Sequence, residues 1–185
     1  MRIPDHTPTL RSERVLMRPF QSEDALGRAR CGKDPDIMRM FGGSPPYTEP
    51  VAMPADEAEA WLQHVSTDGN PLHWALEVEG TFVGTARLHS ADEFDQRAQY
   101  AIGILDRQRL GIGLGAEVTQ TIARYGFAEV GLHRIGLRVL AFNSRAIACY
   151  TKCGFVEEGR ERESVLVGDD WHDDVIMGLL AREAS

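Results

Sequence analysis

Three glycines fall within five residues, at Gly111, Gly113 and Gly115, just after Arg107 and Arg109. Ala98 to Leu105 before them read as a strand. Gly113 to Val130 read as a long helix, with Leu114, Val118, Ile122 and Tyr125 on its buried stripe. Glycine costs a helix roughly 1 kcal/mol against alanine, so three at its start need a reason. Without a Cβ the backbone can approach a ligand closely and its N–H groups can converge. Free donors at a helix N-terminus, together with the helix dipole, form an anion site that suits a pyrophosphate. The bland alternative is a flexible turn before a core helix. A P-loop would need Gly-Lys-Ser/Thr after the glycines, where Ala116 and Glu117 stand. Gly111, Gly113 and Ala116 meet a loose dinucleotide pattern, but the next strand ends Arg138-Val139-Leu140-Ala141, with no carboxylate for a ribose.

A second constellation follows at Asn143, Tyr150, Gly154 and Phe155. Ser144 to Lys152 read as a helix that ends at Gly154, with Asn143 placed to cap it. Tyr150 would then lie on the stripe of Ile147, where a lone tyrosine is usually a core residue.

The elements that must position these residues read as a mixed α/β order. Leu10 to Phe20 is a first strand stopped by Pro19, and Ser22 is the N-cap of a helix over Ala25 to Ala29. Gly42 to Tyr47 is loop by composition, and Asp56 to Val65 is a helix with Ala58, Trp61, Leu62 and Val65 on one face. His73 to Val78 and Phe82 to Leu88 form a hairpin over Glu79-Gly80-Thr81. Ile135 to Leu140 is a strand, and Phe155 to Val167 with Trp171 to Leu180 closes the chain as a hairpin. No repeat or linker divides the 185 residues, so the reading is one domain over residues 1–185.

Composition narrows the partners. The formal charge of −8 speaks against nucleic acid, which needs a basic face, and suits a cationic small molecule or peptide. No apolar run reaches the roughly 20 residues of a membrane helix, and Met1 to His6 hold no apolar stretch of signal-peptide type, so a cytoplasmic address is expected. Cys31, Cys149 and Cys153 are odd in number, against a disulfide framework. Cys149 and Cys153 have zinc-pair spacing but no second pair, so they read as reduced thiols and no metal is expected.

Taken together, the glycine loop and Asn143…Tyr150…Gly154-Phe155 resemble the GCN5-related N-acetyltransferases (GNAT). The resemblance is to the branch of ribosomal-protein N-terminal acetyltransferases and spermidine N-acetyltransferase. It runs from about Ala98 to Leu180, and Arg18-Pro19-Phe20 with Glu23-Asp24 is similar to that branch's N-terminal strand and helix. The resemblance implies the GNAT acyl-CoA fold: a mixed, mostly antiparallel sheet flanked by helices, with a splayed parallel strand pair. It implies that Gly103, Ile104 and Leu105 pair with the pantetheine of acetyl-CoA. Leu110, Gly111, Ile112, Gly113, Leu114 and Gly115 would cradle its pyrophosphate, and Asn143 would hydrogen-bond it. Position 110 is Leu where the family usually has Gln, Arg or Trp. It also allows a homodimer through the exposed edge of the closing hairpin.

The implied reaction is acetyl transfer to a primary amine, a protein N-terminus or a small amine, by direct attack in a ternary complex. Tyr150 would protonate the departing thiolate, and a backbone N–H near Leu105 would hold the oxyanion. The family often has an acidic base where Gln99 stands. Asp92, Glu93, Asp95, His73, His89, His133 and His172 remain candidates for the base. The alternative reading is a non-catalytic acyl-CoA-binding or regulatory domain.

Overall fold

The computed structural model describes residues 1–184. Its spine is an eight-stranded sheet in the order β1-β2-β3-β4-β5-β6-β8-β7. Leu10 to Phe20 is two short strands, not one: β1 (Leu10–Arg11) and β2 (Leu16–Arg18) pair antiparallel, Leu10 opposite Met17. Ser12 turns the chain between them, its N–H donating to the Val15 carbonyl and its hydroxyl accepting from the Val15 N–H. A local side-chain acceptor thus wins over strand continuity.

Helix α1 (Asp24–Cys31) starts after Glu23 without a side-chain cap, and Ser22 donates to Glu23 instead of capping. Asp24 is drawn inward by Arg18, whose Nη1 and Nη2 donate to its two oxygens at 2.9 and 2.8 Å. Sequence reading missed α2 (Pro35–Arg39), although Asp34 caps it by accepting from the Asp36 and Ile37 N–H groups and Pro35 opens it. Helix α3 (Ala55–Ser66) follows. Trp61 of α3 and Gly27 of α1 both meet Phe82, so α1–α3 cover one face of the sheet.

Strands β3 (His73–Val78), β4 (Thr81–Asp92) and β5 (Arg97–Ile104) form the central antiparallel meander. Helix α4 (Leu114–Tyr125) packs on the other face through Leu114, Val118 and Ile122. It does not reach Val130 as a regular helix. Gly126 to Val130 form a π-helical turn, because bare Gly126 sits against Leu132, Ile135 and Leu88. Strand β6 (Arg134–Leu140), α5 (Ser144–Lys152), β7 (Val156–Val167) and β8 (Asp170–Leu180) complete the fold.

The functional consequence lies between β5 and β6. They run parallel and pair only at Arg97/Arg134, Ala98/Ile135 and Gln99/Gly136. Beyond that, β5 stays with β4 as far as Gly84/Ile104, and β6 stays with β8 as far as Leu140/Asp174. Between the two strands a slot opens through the sheet. Gly84 allows the bend, since a Cβ there would run into the Gly103 carbonyl oxygen.

Candidate active site

The glycine loop delivers a row of donors. Gly111 (φ 76°) and Gly113 (φ 91°) both adopt the left-handed region, and Gly113 is the N-cap of α4 without a side-chain cap. The N–H groups of Gly111, Ile112, Gly113, Leu114 and Gly115 find no acceptor among the described residues. A β-carbon on Gly111 would meet nothing within 4 Å. Five successive free N–H groups at a helix start, in open space, fit a pyrophosphate. Leu110 lies behind the row, its N–H turned back to the Arg107 carbonyl.

The arginines flanking the loop are engaged with carboxylates. Arg107 reaches α2, with Nη1 2.5 Å from Asp34, and Arg109 binds Glu79 at 2.9 Å. Arg109 and Arg138 line the cleft already paired with carboxylates, whereas Arg145 and Lys152 of α5, two turns apart, line it without an ion pair among the described residues. Their spacing of seven was a readable signal. Arg14, also unanticipated, steadies the loop: Nη1 donates to the Ile112 carbonyl at 2.9 Å, and the guanidinium binds Glu117.

Asn143 caps α5, its Oδ1 accepting from the Ala146 N–H at 3.2 Å. The amide NH₂ has no partner among the described residues and is available to a ligand. Tyr150, two turns further along the same face, is buried at 9% exposure and packs edge-on to Tyr100, ring centroids 6.4 Å apart. Its hydroxyl makes no hydrogen bond among the described residues, and the residue lines the slot. Burial, with Cys149 and Cys153 beside it, pushes the phenol well above its ordinary value. Tyr100 ties the floor together: its hydroxyl lies 3.0 Å from Thr119 Oγ1, which donates to the Gly115 carbonyl.

The strand-edge assignments need correction. The Leu105 N–H donates to the Val83 carbonyl at 2.8 Å, so it is spent inside the sheet and is not offered to an oxyanion. Backbone groups alternate sides along a strand. Gln96 turns its carbonyl toward β6, where it accepts from His133, and Leu105 turns toward β4. The even residues Tyr100, Ile102 and Ile104 therefore present N–H and C=O to the slot. Gly103 faces β4 opposite Thr85, and its missing side chain makes room for Phe41. Ile104 keeps its place on the open edge.

None of the proposed bases lines the cleft. Asp92 accepts from the Phe94 and Asp95 N–H groups, and Asp92 and Asp95 both pair with Arg97. That hairpin, with Glu93 on it, lies at the far end of β5, roughly 20 Å from Ile104 at ~3.3 Å per residue. Gln99 lies over Gly136. His73 is held by Asp68 at 2.8 Å, His89 by Ser90, and His172 packs on Phe142. His133 begins the turn into β6. Among the described residues no cluster of three His, Cys, Asp or Glu could hold a metal.

A cavity of about 590 Å³ joins the glycine row, the slot, Tyr150 and Asn143. Cys149 lines it as well. Hydrogen bonding from Cys153 and the charge of Lys152 hold the Cys149 thiol below its ordinary value, whereas burial pushes Cys31 up. Iodoacetamide should therefore label Cys149 before Cys31, as peptide mass mapping will read, and saturating acetyl-CoA should slow the labelling. Equal rates with and without it would place Cys149 outside the cosubstrate's reach.

Residues 14–156 match the family model of the acetyltransferase (GNAT) domain. An uncharacterized N-acetyltransferase, p20, of Bacillus licheniformis is 27% identical over 177 residues, covering 95% of this chain and 97% of that protein. Spermidine N(1)-acetyltransferase of Escherichia coli K12 is 23% identical over 169 residues, 91% of this chain and 87% of that one. In fold the chain is similar to the crystal structure of spermidine N-acetyltransferase from Vibrio cholerae in complex with CoA and spermine. That likeness has a TM-score of 0.75 at 22% identity, over 94% of this chain and 99% of that one.

Proposed function

The chain belongs to the GNAT acetyltransferase family, and from that premise we propose how its own residues carry acetyl from acetyl-CoA to a primary amine by direct attack in a ternary complex. The observation that carries the reading is the run of five free N–H groups from Gly111 to Gly115 at the mouth of the β5–β6 slot, with the unpartnered Tyr150 hydroxyl inside it. The loop holds the pyrophosphate. The Asn143 amide donates to the cosubstrate, and the open edge at Ile102 and Ile104 pairs with the pantetheine. The bound ammonium gives one proton to solvent, and the neutral nitrogen attacks the thioester carbon. It releases its second proton to solvent as the amide forms, while the carbonyl oxygen transiently gains charge. An open-edge N–H of Ile102 or Ile104 takes the donor role first read at Leu105; one such donor is worth about 3 kcal/mol. As the C–S bond breaks, Tyr150 gives its proton to the sulfur and regains one from solvent.

Finer readings follow the same line. One continuous sheet supports residues 1–185 acting as a single acetyltransferase domain. No helix among the described residues is long and apolar enough to cross a membrane, and the three cysteines are free, which supports a cytoplasmic setting. The negative charge supports an amine over a nucleic acid as partner. The outer edge of β7 is where a homodimer would pair.

The test is thiol release from acetyl-CoA across a panel of primary amines, with calorimetry of acetyl-CoA alongside. Binding and release with at least one amine are expected. Tight binding without release across the panel would favour a non-catalytic acyl-CoA-binding domain.

A further inference from the structure

The slot has two faces, and the glycine loop with Tyr150 accounts for one. Side chains alternate along a strand, and cross-strand partners share a face. Tyr100 points to the α4 face, so Gln99, Ala101 and Gly103 point to the face of α1–α3, where Gly103 meets Phe41. Gln99 lies against Gly136, which puts Gly136, Arg138 and Leu140 of β6 on that same face. Leu140 pairs with Asp174 of β8, so Asp174 stands there too, across the slot from the thioester side.

Asp174 is 5% exposed and lines the cleft. Its Oδ2 accepts from Arg138 Nη2 at 2.6 Å, and the same Nη2 lies 2.7 Å from Glu161 Oε2. Oδ1 makes no hydrogen bond among the described residues. One guanidinium thus serves two carboxylates, which leaves the trio one net negative charge. Oδ1 keeps access to the cleft, so a cation bound there can reach it. The walls around it on this face, Ile37, Met40, Phe41 and Val165, are apolar.

We infer that Asp174 anchors the acceptor: its free Oδ1 accepts a hydrogen bond from a primary ammonium whose alkyl chain lies along the α2 wall. The inference rests on the acetyl-transfer reading above and names the acceptor side of that site. The acceptor class is a primary alkylamine with apolar carbons next to nitrogen, bound as the cation. A carboxylate at that position of the acceptor is excluded by charge.

Butylamine titrated calorimetrically into the protein, with and without coenzyme A, reads the anchor without relying on turnover. Asp174→Asn keeps the shape and removes the charge; butylamine affinity should fall about tenfold, as for a hydrogen bond to a charged group, while acetyl-CoA affinity stays within about twofold. Glu161→Gln changes a half-exposed side chain and leaves Arg138 to neutralise Asp174 alone; affinity should fall about threefold. Butylamine affinity unchanged in both variants, or no butylamine binding by the unaltered chain, would overturn the inference. Absence of thiol release with every amine, despite butylamine and acetyl-CoA binding, would instead defeat the acetyl-transfer reading and leave the anchor standing.

Discussion

Tyr150→Phe is expected to lower kcat by about 100-fold or more, the lower range of a general acid's contribution, with acetyl-CoA affinity unchanged. The substitution is a clean probe of one proton. The ring keeps its edge-on contact with Tyr100 and its tilted contact with Phe155, so the core is undisturbed. The hydroxyl has no protein partner to orphan. Burial sets the direction of the titration: it disfavours the phenolate, so the folded pKa lies above the ordinary value of about 10. Tyr150 thus keeps its proton through and beyond the neutral range, as an acid must, and it is a poor base there. Single-turnover thiol release separates this loss from product release. A rate equal to that of the unaltered chain would remove the phenol from the mechanism, and the thiolate would then be protonated by water.

How much of this was legible in the sequence depends on how local the signal is. The glycine loop and the Asn143 cap are written within a few residues, and the α5 boundaries follow from Asn143 and Gly154. The parallel pair could be expected from a strand–helix–strand order, but the point where it splays is a register property. Pairing stops after Gln99/Gly136, and Gly84 meets Gly103 further along β5; no local pattern announces either the register or that contact. Leu105 was misassigned for a related reason. One extra hydrogen bond to Val83 decides which side its N–H faces, and a shift of one residue exchanges slot for sheet. Asp174 and Arg138 were invisible as a pair because β6 and β8 meet only after α5 and β7 have intervened. Asp92 and Asp95 looked available because an acidic loop reads as solvent-facing. The structure puts them at the wrong end of β5.

Gly113→Ala should weaken acetyl-CoA about 30-fold by calorimetry while the fold persists. At φ 91° a side chain pays the left-handed penalty of about 1–2 kcal/mol. The new Cβ would also lie 3.2 Å from Arg14 Nη2. Rotating the Ile112–Gly113 peptide relieves both, and it turns the phosphate donors away from their common focus. The displaced Arg14 matters as much. Burial works against the Glu117 charge, yet the Arg14 guanidinium and the Ser12 hydroxyl outweigh it and hold that carboxylate below its ordinary range. Freed from Arg14, an ionised Glu117 in the first turns of α4 repels the same pyrophosphate the loop attracts. Together about 2 kcal/mol is at stake, and each 1.4 kcal/mol is tenfold in affinity. Arg14→Gln separates the two contributions in a double-mutant cycle: Gly113→Ala should cost less in that background, because the clash is gone and Glu117 is already unpaired. An acetyl-CoA affinity untouched by Gly113→Ala would mean that the phosphates bind elsewhere, and the cations Arg145 and Lys152 on α5 would then be the place to look.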